Sequence, residues 1–274
     1  MAVIAPNAET PIVVCGAAGR MGRMLVQLIA AEPRATLVAA VEAPGHAALG
    51  RDAGEVAGIE PLGVRIEAAY TPTRESVTLD FTAPAAALAH LQTAVDVGAA
   101  IVVGTTGIGA ADRARAEALA RRTRAVIAPN LSVGVAVLER LIATATAALG
   151  PSFDVEIAEV HHRLKRDAPS GTALRLAEVV AAAQGTPLAG RARFGREGEP
   201  GPRSDAEIGV VALRGGDAIG DHTVYFLGAG ERLELTHRAQ SRECLARGAL
   251  RAALWLAQQR PGLYTMRDVL GLPS

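Results

Sequence analysis

The stretch EVHHRLKRDAPSGTAL, Glu159 to Leu174, holds two adjacent histidines, three cationic side chains and a Pro-Ser-Gly-Thr run. Histidine titrates near neutrality and is the usual side chain for moving protons, so His161 and His162 are candidate acid/base groups. The DAPSGTAL segment reads as a helix start with Ser170 as N-cap. There Gly171 and Thr172 would present N–H groups that no preceding turn can satisfy. With the positive end of the helix dipole and Lys165, those groups would cradle a carboxylate. A solvated charged loop ahead of a capped helix would use the same residue types. A zinc site is disfavoured, because neighbouring histidines on a strand point to opposite faces and no third ligand lies nearby at a suitable spacing.

A second constellation lies near the start of the chain. In VVCGAAGRMGRMLVQ, Gly16, Gly19 and Gly22 fall between an apolar run and a helical one. That GxxGxxG spacing varies the dinucleotide fingerprint: Gly16 for the tight turn, Gly19 for approach to a pyrophosphate, Gly22 for helix–strand packing. Structural turn glycines would give the same pattern. Glu42 ends the next apolar run, about 20 residues beyond Gly22, where an acid bonds the adenosine ribose hydroxyls. It would repel a 2′-phosphate, so NADH is favoured; Arg20 could still reach a phosphate, which keeps NADPH open. The loops GTTG (104–107) and APNLS (128–132) end further apolar runs, and ligands of such sheets bind outside the carboxyl ends of the strands. Ordinary turn chemistry would also place small residues there.

The elements that must position these groups follow from the pattern of apolar runs. Strands are expected at 11–15, 36–42, 76–82, 100–106 and 124–130, with helices at 21–32, 84–98 and 109–123. Fully apolar strands alternating with helices specify a parallel sheet covered on both faces, a Rossmann-type doubly wound α/β domain. The pattern then changes. A helix at 133–150, a strand at 153–162 and a helix at 171–184 precede a Gly/Pro/Arg-rich loop at 190–205. Strands at 208–214, 222–228 and 232–238 follow with only turns between them, suiting a smaller α+β domain with a mixed or antiparallel sheet. A terminal amphipathic helix carries the only tryptophan, expected in the core.

Composition narrows the function. Lys+Arg and Asp+Glu are equal at 28 each over 274 residues, and aromatics are 3%, so neither a basic footprint nor stacking platforms suggest nucleic acid. Two cysteines make neither a disulfide framework nor a metal cage, and Cys15 reads as a small buried hydrophobe. MAVIAPNAETP lacks the basic and apolar regions of a signal peptide, and no uncharged apolar run of about 18 residues appears, so a cytoplasmic protein without membrane spans is expected.

GAAGRMGR, DFT.P at 80–84, GTTG, APN.SVGV, GERLELTH and above all E.HHR.K.DAPSGTA resemble the dihydrodipicolinate reductase family, in order from about residue 11 to about 272. The resemblance implies NAD(P)H-dependent reduction of 4-hydroxy-tetrahydrodipicolinate to tetrahydrodipicolinate in diaminopimelate and lysine biosynthesis. It implies a dinucleotide-binding domain from 1–131 with 240–274, a substrate-binding and oligomerisation domain at 132–239, and a homotetramer. Cofactor contacts would fall on Gly16, Ala17, Ala18, Gly19, Arg20, Met21, Glu42, Gly104, Thr105, Thr106, Ala128, Pro129, Asn130 and Leu131. His161 would be the acid/base residue and Lys165 a proton donor, with His162, Ser170, Gly171 and Thr172 binding a small dicarboxylate; no metal is implied. Ala43 stands where other members carry arginine, which favours NADH. Leu164 replaces a residue often polar in relatives. A non-catalytic NADH-responsive regulator would have no use for the histidine–lysine cluster, and an aldehyde dehydrogenase would want a nucleophilic cysteine in a polar site.

Overall fold

The computed structural model describes residues 9–273; residues 1–8 and Ser274 lie outside the described residues, and with them most of MAVIAPNAETP, where no signal peptide is expected. In chain order the first elements are β1 (Thr10–Cys15), α1 (Arg20–Ala30), β2 (Ala35–Val41), α2 (Ala53–Ala57), β3 (Ile66–Glu67), β4 (Val77–Asp80), α3 (Pro84–Val97), β5 (Ala100–Val103), α4 (Ala110–Ala120) and β6 (Arg124–Ile127). Next come α5 (Val133–Leu149), β7 (Asp154–His161), α6 (Gly171–Ala183), β8 (Ala192–Phe194), β9 (Ile208–Arg214), β10 (Gly220–Leu227) and β11 (Arg232–Ala239). The chain closes with α7 (Glu243–Leu256), β12 (Gly262–Tyr264) and α8 (Met266–Leu270). Two compact units result: one runs to Val133 and resumes at Glu243, the other is Gly134–Arg242.

Among the described residues the first unit holds a seven-stranded sheet in the order β12-β6-β5-β4-β1-β2-β3, every pair parallel. All four residues of β4 and of β5 are buried, as two covered faces require. The strand order reverses beside β1, which puts the switch point of a doubly wound sheet at the glycine turn. Pro84 opens α3 and Gly98 closes it in the left-handed conformation. In α7, Ala246, Ala249, Leu250, Ala253 and Leu256 form the buried stripe. Trp255 is half-buried rather than core, edge-on to Tyr264 at 5.0 Å between ring centroids.

The second unit carries a five-stranded mixed sheet, β11-β10-β7-β9-β8. Although β9 and β10 are consecutive, they do not pair; β7 lies between them, parallel to β9 and antiparallel to β10. The segment 190–205, expected as loop, contributes β8 parallel to β9. Its arginines tie it to the sheet: Arg196 and Arg203 both pair with Glu156, and Arg196 also pairs with Glu207. One side of the sheet packs on α5 and α6 through Leu138, Ile142, Leu176, Val180, Ile157 and Phe226. By length and composition alone Val133–Ser152 is apolar enough to cross a membrane. Yet Leu138 and Ile142 lie in the packed core and Glu139 pairs with Arg175, the behaviour of a core helix.

Strands β2, β4, β5 and β6 stop one to three residues short of the apolar runs that announced them, at Val41, Asp80, Val103 and Ile127. The displaced residues form the loops over the carboxyl edge. Gly22 decides how tightly α1 docks there: a Cβ on it would meet the carbonyl oxygen of Gly16 at 2.0 Å and Cα of Ala17 at 2.6 Å. Both obstacles are backbone. Gly22→Ala should therefore cost about 3 kcal/mol, at the upper end for overpacking, read as a lowered urea midpoint with an unchanged m-value.

Candidate functional site

In the second unit the strand period brings the chemistry together. Along β7, Val155, Ile157, Glu159 and His161 point to the buried face, so Glu159 and His161 continue the core stripe to its end. Glu159 is fully buried and His161 is 9% exposed. The His161 Nδ1 lies 2.5 Å from Glu159 Oε2. In register beside His161 on β9 stands Arg214, whose guanidinium donates to Glu159 from Nη1 at 2.7 Å and from Nη2 at 2.8 Å. A forked pair of this kind is the strongest way to hold a carboxylate in a dry site. The Ser170 N–H adds a bond to Glu159 Oε1 at 3.0 Å. Burial alone would raise the Glu159 pKa, but Arg214, His161 and the Ser170 N–H outweigh it and hold the carboxyl below its ordinary value.

The Pro-Ser-Gly-Thr run caps α6 as its residue types foretold. Ser170 Oγ accepts from the Ala173 N–H at 3.1 Å and contacts His222 Nε2 at 3.0 Å. Ser170 and His222 are both buried, so the serine hydroxyl ties the helix start to β10; Gly171 is exposed at the first helical position. Lys165 Nζ donates to both oxygens of Asp167 at 2.9 Å, and this pairing holds the Asp167 carboxyl below its ordinary value. Arg214 Nη2 also donates to the Asp167 carbonyl at 2.7 Å, fastening the loop to the dyad. His162, past the strand end, is half-buried; its N–H bonds the Ala218 carbonyl at 2.8 Å. Leu164 is exposed.

Arg214, His222 and Gly220 have no place among the residues singled out from the sequence, and Glu159 stands there only as part of the quoted motif, with no role assigned. Glu159 was readable from its i, i+2 spacing to His161 on a strand. The other three sit on β9 and β10, and only sheet pairing brings them to β7.

In the first unit, Gly16 takes φ +80°, a conformation that favours glycine. Glu42 reaches back from the end of β2: its carboxylate accepts from the Ala18 N–H at 3.1 Å and the Ala43 N–H at 3.0 Å. The glycine turn and Glu42 are thus joined directly, with Gly19 and Arg20 exposed and Met21 half-buried beside them; Ala17 and Ala18 are buried. Asp80, at the end of β4, binds two loops. Its Oδ1 accepts from the Thr82 N–H at 3.0 Å, the Thr82 hydroxyl at 2.7 Å and the Thr105 hydroxyl at 3.2 Å. Its Oδ2 lies 2.6 Å from His90 Nδ1. Thr105 is consequently buried, and Thr106 is exposed. A Cβ on Gly104 would meet the Phe81 ring at 2.3 Å, so any side chain there would displace that ring. In the 128–131 loop, Pro129 is exposed, Ala128 donates its N–H to Val103 at 3.0 Å, Asn130 Oδ1 accepts from the Ser132 N–H at 2.9 Å, and Leu131 is core. Cys15 is buried, and burial with the charges of Asp80 and Glu42 pushes its thiol well up.

His222 gives a test of the second unit's electrostatics. Burial, with His161 nearby, pushes its pKa down from 6.5 to about 4. The folded state keeps it neutral while the unfolded chain binds a proton below about 6.5. Stability from this group is complete above that pH and is lost as pH falls from about 6.5 to about 4, of order 3 kcal/mol in total. His237, also lowered by burial, acts in the same direction. Urea midpoints at several pH values should fall across that window, and His222→Gln should flatten most of the fall.

Comparison with known proteins gives the following. Residues 10–131 match a family model described as dihydrodipicolinate reductase, N-terminus, and residues 134–270 match one described as dihydrodipicolinate reductase, C-terminus. The chain is 48% identical over 265 residues to a 4-hydroxy-tetrahydrodipicolinate reductase of Anaeromyxobacter dehalogenans, covering 96% of this chain and 98% of that one. It is also 48% identical to a protein of that description from Geobacter sulfurreducens, covering 96% and 99%. Among solved structures, a dipicolinate-bound dihydrodipicolinate reductase from Paenisporosarcina sp. TG-14 shares the fold at a TM-score of 0.72 and 23% identity, covering 95% of this chain and 98% of that one. An amine dehydrogenase from Mycobacterium smegmatis shares it at 0.59 and 14%, covering 94% and 95%.

Proposed function

The chain belongs to the dihydrodipicolinate reductase family, pyridine-nucleotide-dependent reductases with a Rossmann-like domain, and we propose that it reduces 4-hydroxy-tetrahydrodipicolinate in diaminopimelate and lysine biosynthesis. The observation that carries the residue-level reading is the buried Glu159–His161 pair beside the Ser170-capped start of α6. A proton-exchanging imidazole next to an anion-binding helix start suits a dicarboxylate that must gain a proton.

The residues of the glycine turn fit a dinucleotide. Gly16 has the left-handed turn, the space over Gly22 is closed to any side chain, and Glu42 is anchored where ribose hydroxyls would be bonded. Gly16 to Met21, Glu42, Gly104 to Thr106 and Ala128 to Leu131 are the proposed cofactor set. Within it, Thr105 and Leu131 act through the loop backbone, since their side chains are buried. Bound nicotinamide supplies the hydride. On the substrate, the backbone N–H groups at Gly171 and Thr172 hold one carboxylate, with Ser170 fixing the helix start and His162 at the rim. Lys165 exchanges Asp167 for the incoming carboxylate and assists protonation. The 4-hydroxyl leaves the substrate ring as water, the hydride would enter the carbon it vacates, and His161 delivers the proton to the adjacent ring atom.

NADH is the favoured cofactor. Glu42 is negatively charged and the neighbouring Ala43 offers no cation to a 2′-phosphate. Assembly as a cytoplasmic homotetramer is part of this reading; Val211 and Leu213 of β9 leave apolar side chains exposed on the sheet face opposite the core.

A coupled assay with the enzyme that supplies the substrate should show steady NADH consumption; none with either cofactor would sink the reading. His161→Gln should lower kcat about 10²-fold or more while leaving the Kd for NADH within about twofold, since acid/base assistance is worth 10²–10⁴. In the same assay, Ala43→Arg should shift the kcat/KM ratio toward NADPH; no shift would remove residue 43 from cofactor choice.

A further inference from the structure

We propose that Glu159 and Arg214 are positioning residues that fix His161 so that Nε2 alone exchanges its proton with substrate, and that Gly220 keeps the space this nitrogen needs. The inference rests on the reductase reading above but concerns groups that lie behind the histidine.

An ionised carboxylate only accepts hydrogen bonds. With Glu159 Oε2 at 2.5 Å, His161 Nδ1 must carry a proton whether the ring is charged or neutral. The charged imidazole therefore donates from Nε2. Once that proton has passed to the substrate ring, the product is the neutral Nδ1–H tautomer, still bonded to Glu159. A proton taken up from solvent then restores Nε2–H. Throughout the cycle the Nδ1 proton stays in place, bonded to the carboxylate.

Arg214 makes this arrangement permanent. Its fork occupies both oxygens of Glu159, and a further bond to the Asp167 carbonyl holds the loop that carries Lys165. Without it, a fully buried carboxylate would lose its main counter-charge and take up a proton. A protonated Glu159 could then donate to Nδ1, and the tautomer would no longer be set.

The neighbouring strand supports the assignment of Nε2. A Cβ built on Gly220 would lie 2.9 Å from His161 Nε2 and 3.3 Å from Cδ2. The φ of Gly220 is not in the left-handed region, so its backbone does not call for glycine; the imidazole does. His222, next but one on β10, stands edge-on with its ring centroid 5.2 Å from that of His161, and its lowered pKa keeps it neutral there. Lys165 and Asp167 are paired with each other on the loop.

A purely structural ion pair between β7 and β9 would also be buried and forked. The two roles separate by measurement. Full-length protein carrying ¹⁵N-labelled histidine, without substrate, should show neutral His161 as the Nδ1–H tautomer; the Nε2–H tautomer in the wild type overturns the proposal. Glu159→Gln keeps the volume but can offer an N–H, so it should yield a mixed or inverted tautomer and a displaced pH profile of kcat/KM. Its kcat should fall about 10²-fold or more, with NADH affinity unchanged. A variant that folds and merely melts earlier, with the wild-type pH profile and tautomer, refutes the positioning role. Should Glu159→Gln not fold, Gly220→Ala decides through the same readings: kcat should drop while NADH binding stays, and unaltered kcat counts against the assignment of Nε2. The tautomer is read on the resting enzyme. A protein inactive as a reductase but with Nδ1–H on His161 would defeat the functional reading and leave the geometry standing.

Discussion

A carboxylate with no access to water governs the second unit. Moving such a group from water into a protein interior costs several kcal/mol unless its oxygens are fully engaged. Glu159 meets that demand with four contacts from three places in the sequence: His161, both terminal nitrogens of Arg214, and the Ser170 backbone. Each partner is itself a structural junction. Arg214 ends β9, Ser170 starts α6, and His161 ends β7. The alignment of strand, helix and loop around the histidine is therefore set by one charge that has nowhere else to be satisfied. Apolar packing of Ile157, Val210, Leu176 and Phe226 fixes the sheet and α6 against each other. The carboxylate then fixes their ends.

Local signals were legible in the sequence. Apolar runs located the strands because a covered parallel sheet needs them continuous, and Ser170 marked a helix start through backbone chemistry that acts within a few residues. The glycine turn could be assigned its three tasks for the same reason. What escaped were relations between distant segments. Nothing within β9 or β10 announces that β7 will pair between them, so Arg214, Gly220 and His222 could not be placed beside His161. Short elements escaped as well. The two residues of β3 and the three of β8 are too few to show a period, and both are strands because a neighbour offers an edge. Trp255 was misplaced because size and apolarity argue for the core, whereas its ring lies half-buried against Tyr264. Strand ends were overrun where apolar runs continued into small polar residues, a boundary set by the loops above the sheet rather than by composition.

The first unit repeats the principle with a different outcome. Asp80 also ends a strand, is fully buried, and has both oxygens engaged. Its partners are loop hydroxyls, an amide and the His90 imidazole rather than a guanidinium: Thr82 lies two residues on and Thr105 belongs to the loop after β5. Cys15 and His90 come within metal-ligand reach of it, but the bonds to Thr82, Thr105 and His90 already account for both carboxylate oxygens, and the thiol is pushed toward its neutral form. The cluster is thus explained by loop alignment. In both units a short acidic chain at a strand end converts the regular spacing of a sheet into fixed positions for irregular loops. Hydrophobic packing is non-directional and cannot do that alone. A buried carboxylate with several directed partners can, because displacing any one of them exposes the charge to an apolar interior.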